Sequence, residues 1–247
     1  MSEAKRAISF AVIVSVVCCV LITAASTGLK ARQLRNMELD RQKNILKAAD
    51  IGGDTQTMTP REVDTLFKTR ILQVWAGQDG ELYQKMPENE PNPLPLYLTL
   101  DRGDIISYIV PVDSRGLWGR IRGYMAIEAD GSTIKGFTVY SHQETPGLGG
   151  EIESDWFQKN FVGKKIVAQS GDFASIKIAK GKAMGELDNV VDGISGATLT
   201  GKYLSQGLAS NLSSYEGLSL RFRQNLIKKH VENLENPADK IRQNKGE

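Results

Sequence analysis

Three hydroxyls, one carboxylate and two glycines fall within one short stretch, Asp192-Gly193-Ile194-Ser195-Gly196-Ala197-Thr198-Leu199-Thr200. Just upstream, Val190 and Val191 form a β-branched run that reads as the end of a buried strand. Just downstream, Tyr203, Leu204, Leu208 and Leu212 recur at helical spacing, so a helix is expected to start between Ala197 and Gly201. The hydroxyls therefore belong to a strand-to-helix turn. Free N–H groups of a first helical turn, together with the helix dipole, favour an anion such as phosphate there. The same residues also suit a plain helix cap, in which Ser195 or Thr198 accepts a backbone N–H. From the residues alone both readings stand.

A second stretch, His142-Gln143-Glu144-Thr145-Pro146-Gly147-Leu148-Gly149-Gly150, follows a strand expected over residues 134–140 and is too rich in glycine for a regular element. Glycines allow a backbone to approach a planar ligand closely, although Pro-Gly also makes an ordinary turn. The spacing is not that of a dinucleotide-binding loop. Trp118, in Gly116-Leu117-Trp118-Gly119, lies between strands with glycine close on both sides and reads as a core aromatic.

The elements that must hold these stretches are short and mixed. Thr59-Pro60-Arg61-Glu62 has the form of a capping box opening a helix whose buried face is Val63, Leu66 and Phe67. Gly77-Gln78-Asp79-Gly80 reads as a turn, and residues 88–95, broken by Pro91, Pro93 and Pro95, as a loop. Strands are expected over 105–110, 124–128 and 134–140, with Asp113-Ser114-Arg115-Gly116 and Asp130-Gly131 as turns between them. Ser154-Asp155-Trp156-Phe157 opens a short helix that places Trp156, Phe157 and Phe161 in the core. Residues 166–168 and 176–179 add strands, 218–230 suit strand or helix, and the chain from Asn233 is polar. The fold class expected is α+β, one domain built on an antiparallel sheet.

The chain of 247 residues has a net charge of +2 with its basic residues scattered, which gives no case for nucleic acid. Its two cysteines, Cys18 and Cys19, are adjacent, and no His/Cys cluster exists, so neither a disulfide framework nor a metal site is expected. Residues 7–29 carry no charge, and 8–25 are apolar apart from Ser9, Ser15 and Thr23. That length crosses a bilayer as a helix. It also exceeds the roughly 7–15 apolar residues of a cleaved signal, so a retained anchor is preferred over cleavage near Thr23-Ala24-Ala25. Lys30, Arg32 and Arg35 outnumber Lys5 and Arg6, a count that by itself keeps the main domain in the cytoplasm but applies poorly to long domains. Residues 31–49 are polar with Leu34, Met37, Ile45 and Leu46 at helical spacing, as in a stalk that Gly52-Gly53 ends. The expected organisation is an N-terminus (1–6), a transmembrane helix (7–29), a juxtamembrane stalk (30–58), the α+β domain (59–235) and a polar tail (236–247).

Asp192-x-x-Ser195-Gly196-Ala197-Thr198 resembles the motif at which a flavin transferase joins FMN to a threonine, and Glu144-Thr145-Pro146-Gly147-Leu148-Gly149 is similar to a loop of the same flavoproteins. With the anchor, the stalk and Leu117-Trp118-Gly119 in one order, the chain resembles the C-subunit family of the sodium-translocating NADH:quinone reductases of bacterial inner membranes. The G subunits of Rnf-type electron-transport complexes share the anchor and the flavin motif. Asp40-Arg41-Gln42-Lys43-Asn44-Ile45-Leu46 and the chain length favour the first family. A stand-alone anchored FMN-binding module is the third reading.

The resemblance implies a periplasmic FMN-binding domain that relays electrons among the other subunits of the complex, with no NADH or quinone site of its own and no catalytic residue. It implies a phosphoester from FMN to the Thr198 hydroxyl, with Ser195, Gly196 and Ala197 shaping the turn around the phosphate and Leu199 among the cofactor-binding residues. Thr145, Gly147 and Leu148 would lie along the flavin ring, Trp118 would border it, and Glu144 counts among the cofactor-binding residues. Thr200 would bond a ring or phosphate oxygen or cap the helix, and Asp192 would serve the transferase, helping to position its magnesium during attachment. The partners implied are the other reductase subunits, the flavin transferase and membrane lipid.

Overall fold

In a computed structural model of the chain, residues 2–185 and 187–227 are described. Helix α1 runs Glu3–Ala48 without a break between the expected anchor and stalk. The chain divides within it, into a unit ending at Asp40 and a compact unit beginning at Arg41. The first unit lies within a helix long and apolar enough to cross a membrane, with a mean hydropathy of 2.7 over 18 residues.

The compact unit starts ahead of residue 59. Ile45, Leu46, Ala48 and Ala49 are fully buried, and the Thr138 hydroxyl donates to the Asn44 carbonyl at 3.3 Å. The end of the expected stalk is therefore part of the core. Its polar composition upstream concealed the apolar face that closes over the sheet. Helix α2 (Pro60–Arg70) begins with the expected capping box: the Glu62 N–H donates to the Thr59 hydroxyl, and the Thr59 N–H to the Glu62 carboxylate.

Strands β1 (Ile71–Ala76), β2 (Leu82–Tyr83), β3 (Leu94–Asp101), β4 (Asp104–Arg115), β5 (Arg120–Glu128) and β6 (Ile134–Ser141) form one antiparallel sheet in the order β2-β1-β3-β4-β5-β6. Two expectations fail here. Residues 94–95 open β3 rather than closing a loop, and Asp113-Ser114-Arg115 continue β4 rather than turning. Pro111 is tolerated within β4 because pairing with β3 ends at Tyr97↔Ile109, and beyond that point only β5 is alongside. The reversal falls instead at Gly116–Gly119, where the Gly116 N–H donates to the Gly119 carbonyl at 2.7 Å.

After β6 come a 3₁₀ turn (Gly149–Glu153) and α3 (Asp155–Lys159). Phe157 and Phe161 are buried as expected, but Trp156 is 48% exposed. Residues 166–168 contribute only an isolated bridge, Val167↔Phe173. Strands β7 (Lys177–Ile178) and β8 (Val190–Val191) pair in parallel. Helix α4 (Thr198–Ser214) then crosses the sheet, and α5 (Glu216–Arg223) settles residues 216–223 as helix. His230, Asn233 and the tail 236–247 lie outside the described residues.

The end of α1 packs on one sheet face beside Thr138, while the larger part of the core sits between the other face and these last helices. Leu98 of β3, Tyr108 and Val110 of β4 and Met125 and Ile127 of β5 share that face, and Leu204, Leu208 and Leu212 present the helical stripe that meets it. Tyr108 stacks on Phe222, with ring centroids 4.5 Å apart, and exchanges a 2.8 Å hydrogen bond with Ser219. Gly207 brings α4 against β4: a Cβ there would overlap the Ser114 side chain. That close approach fixes where the first turn of α4 emerges.

Candidate functional site

Three segments converge at the start of α4: the β4–β5 hairpin tip, the glycine-rich loop after β6, and the Ile194–Ala197 turn. In that turn the Ala197 N–H donates to the Ile194 carbonyl at 3.1 Å, and Gly196 has φ +76°, a value that L side chains avoid. The chain can therefore reverse there and enter the helix one residue later. Ala197 is the cap residue of α4, and no side chain caps the helix. Neither Ser195 nor Thr198 takes the capping role that the sequence allowed. The first intrahelical bond runs from the Gly201 N–H to the Ala197 carbonyl at 3.0 Å, which leaves the earlier N–H groups facing out of the helix end.

The open pocket at this point measures 190 Å³. Thr198, Leu199, Thr200, Ala197 and Gly196 line it from the helix side, Glu144, Thr145 and Leu148 from the loop, and Trp118 from the hairpin. All nine were expected. Leu117 and Gly149 complete the wall. Both stood inside quoted motifs, but only the folded hairpin and loop show that they face the same space. The volume is well under the roughly 300–1,000 Å³ of pockets that enclose a ligand. A ligand larger than this space therefore lies partly outside.

The two threonines of the turn differ sharply. Thr198 is exposed, whereas Thr200 is 1% exposed and donates its hydroxyl to Glu144 Oε2 at 2.5 Å. Glu144 Oε1 accepts the Trp118 N–H at 3.0 Å. The Glu144 N–H in turn donates to His142 Nδ1 at 3.1 Å, and His142 Nε2 lies 3.1 Å from Glu153. His142 thus orients the loop. Around the opening, Leu117, Trp118, Leu148 and Leu199 are 38–68% exposed.

Three expected residues stand apart. Ser195 and Gly147 are exposed and do not line the pocket. Asp192 faces a separate cleft with Lys164 and Asp188, and its carboxylate accepts the Ala183 N–H at 2.7 Å. Among the described residues no cluster of potential metal ligands exists.

Residues 116–213, which hold both motifs and the hairpin tip, match the FMN-binding domain family. The chain is 35% identical over 235 residues to the C subunit of the Na⁺-translocating NADH-quinone reductase of Yersinia pestis, covering 83% of this chain and 86% of that one. It is 34% identical to the corresponding protein of Vibrio campbellii, over 80% and 86% of the two chains. The crystal structure of the C subunit from Parabacteroides distasonis superposes with a TM-score of 0.67 at 29% identity, covering 77% of this chain and 96% of that one.

Proposed function

This chain belongs to the C-subunit family of the Na⁺-translocating NADH-quinone reductases, and on that premise we propose that it carries FMN covalently on Thr198 and relays electrons inside such a complex. It is a membrane-anchored FMN-binding subunit of that reductase, by its family and by the one helix, among the described residues, that is long and apolar enough to cross a membrane. The attachment chemistry, the side of the membrane and the residue roles are the finer parts of the proposal.

The observation that carries it is the contrast between the two threonines. The Thr198 hydroxyl is exposed at an uncapped helix N-terminus, while the Thr200 hydroxyl is buried and committed to Glu144. A phosphoester on Thr198 would set its phosphate beside the outward N–H groups, which, with the dipole, offset its charge without any Arg or Lys in the wall. The residues present fit the group. The pocket would hold only part of a flavin ring, and an edge left outside would be open to electron exchange with a neighbouring subunit. Bound FMN supplies the redox chemistry, and the protein orients it and sets its surroundings. Trp118, Leu148 and Leu199 offer apolar contact to the ring, and Thr145 offers a polar group. Ser195 and Gly147 shape the two turns. Asp192, outside the pocket, is assigned to maturation by the flavin transferase.

Intact mass and peptide mapping of the chain made alongside the transferase test the attachment. One FMN on the peptide containing Thr198, absent from Thr198→Ala, is expected; covalent FMN persisting in that variant overturns the assignment. The domain is placed in the periplasm, with lipid around residues 7–29 of the inner-membrane span. A reporter fused after Glu247 that worked only in the cytoplasm would reverse that topology.

A further inference from the structure

Of the residues lining the pocket, Glu144 alone has an ionisable acidic or basic side chain. It is 4% exposed, and its two oxygens accept from the Trp118 N–H and the Thr200 hydroxyl, both neutral donors. Among the described residues no ion pair involves it. A buried carboxylate without a cation carries a desolvation cost that a chain ordinarily avoids.

The surroundings are built to keep it. A Cβ at Gly116 would stand 2.5 Å from Glu144 Oε1, and one at Gly149 would stand 2.8 Å from Oε2 and 2.6 Å from the Thr200 hydroxyl. Larger residues at either glycine would evict the carboxylate. Clamping an N–H and a hydroxyl needs no charge: in a glutamine of the same shape Oε1 accepts the Trp118 N–H and the amide N–H donates to the Thr200 hydroxyl, which turns to accept. The carboxylate adds what a glutamine lacks, a negative charge on a side chain that is itself 4% exposed and lines the same space as Thr198.

We propose that Glu144 is the charge that sets the redox potential of the flavin, a role that rests on the Thr198 reading above. Adding an electron beside a fixed anion is opposed by Coulomb repulsion, and the opposition grows where water is excluded. No cation among the lining residues cancels it. Glu144 therefore holds the flavin at a lower potential than a neutral wall would, making it the stronger donor to the next redox centre. Through its bonds to Trp118 and Thr200 it also fixes two walls of the pocket relative to each other.

The test uses the full-length chain, flavinylated by the transferase and purified in detergent. Glu144→Gln keeps the shape and the acceptor for Trp118 while removing the charge. The expected result is an unchanged covalent mass and a midpoint potential shifted to more positive values; a merely structural role leaves the potential where it was. A flavinylated Glu144→Gln protein whose midpoint is unchanged or more negative overturns the proposal. Should that variant fail to fold or to take up flavin, the unsubstituted protein still decides. Its redox-difference infrared spectrum should contain a carboxylate band that moves on ¹³C-glutamate labelling, and a spectrum without one overturns the proposal. Absence of flavin from Thr198 by mass would instead remove the underlying reading, and this proposal with it.

Discussion

Thr200 donates a hydrogen bond from its hydroxyl to Glu144 Oε2 at 2.5 Å, across 56 residues of chain and with both side chains buried. The bond joins the first turn of α4 to the glycine-rich loop. It also separates the roles of two threonines that stand two positions apart. Thr200→Val keeps the volume and deletes the donor, leaving Glu144 Oε2 unsatisfied in the interior. The expected cost is about 1–3 kcal/mol of folding stability, read from denaturant midpoints, with covalent flavin on Thr198 retained by mass. A variant of normal stability that had lost its flavin would show that Thr200, not Thr198, is the attachment point.

A second contact fixes the angle at which α4 delivers its N-terminus. Gly207 has no room for a Cβ against Ser114 of β4, whose hydroxyl also donates to the Tyr203 carbonyl at 3.2 Å. Gly207→Ala must push the helix off the strand, at about 1–3 kcal/mol. Ser114→Gly removes the side chain that would be struck. The double variant should therefore be more stable than the two single losses sum to, by at least about 0.5 kcal/mol. Strict additivity would mean that the helix and strand do not meet there.

Much of this site was legible because its turns are written in local chemistry. The Thr59 capping box, the helix after Ala197 and the strand ahead of His142 all depend on residues a few positions apart, and all are found. What was not legible depends on the sheet. The prolines around Pro95 disguise the start of β3, and Pro111 and Asp113 disguise the length of β4, since only the position of the neighbouring strand makes them acceptable. Ile45 and Leu46 looked like a stalk until the sheet face they cover was in place. Asp192, read as serving attachment rather than the flavin itself, lies in a different cleft from Thr198, a separation that spacing in the motif does not show. Likewise, nothing near Glu144 in sequence announces its bond to Thr200.

The end of α1 is tied to α3 by a single ion pair, in which Lys47 donates to Asp155 at 2.7 Å. That hydrogen bond and the lysine's charge hold the Asp155 carboxyl below its usual range. A depressed folded-state value stabilises the fold above the unfolded carboxyl value of about 3.9, and the contribution fades as pH falls through the folded value. The pair is largely exposed, so its worth is under about 1 kcal/mol. Site-resolved NMR titration should show Asp155 returning to the ordinary carboxylate range in Lys47→Met. An unaltered titration would show that Lys47 is not its partner in solution.

The uncapped start of α4 makes a prediction about the phosphate. Ala197→Asp places a carboxylate at the cap position, where no side chain now caps the helix. Ala197 is 6% exposed, and its φ of −117° and ψ of 35° lie outside the extended backbone from which an aspartate caps, so no gain in stability is expected. The new charge stands beside the N–H groups proposed for the phosphate and repels the phosphate. Covalent flavin per chain, measured from the absorbance of denatured protein, should therefore fall. If Ala197→Asp took up flavin as fully as the unsubstituted chain, the helix N-terminus could not be where the phosphate rests.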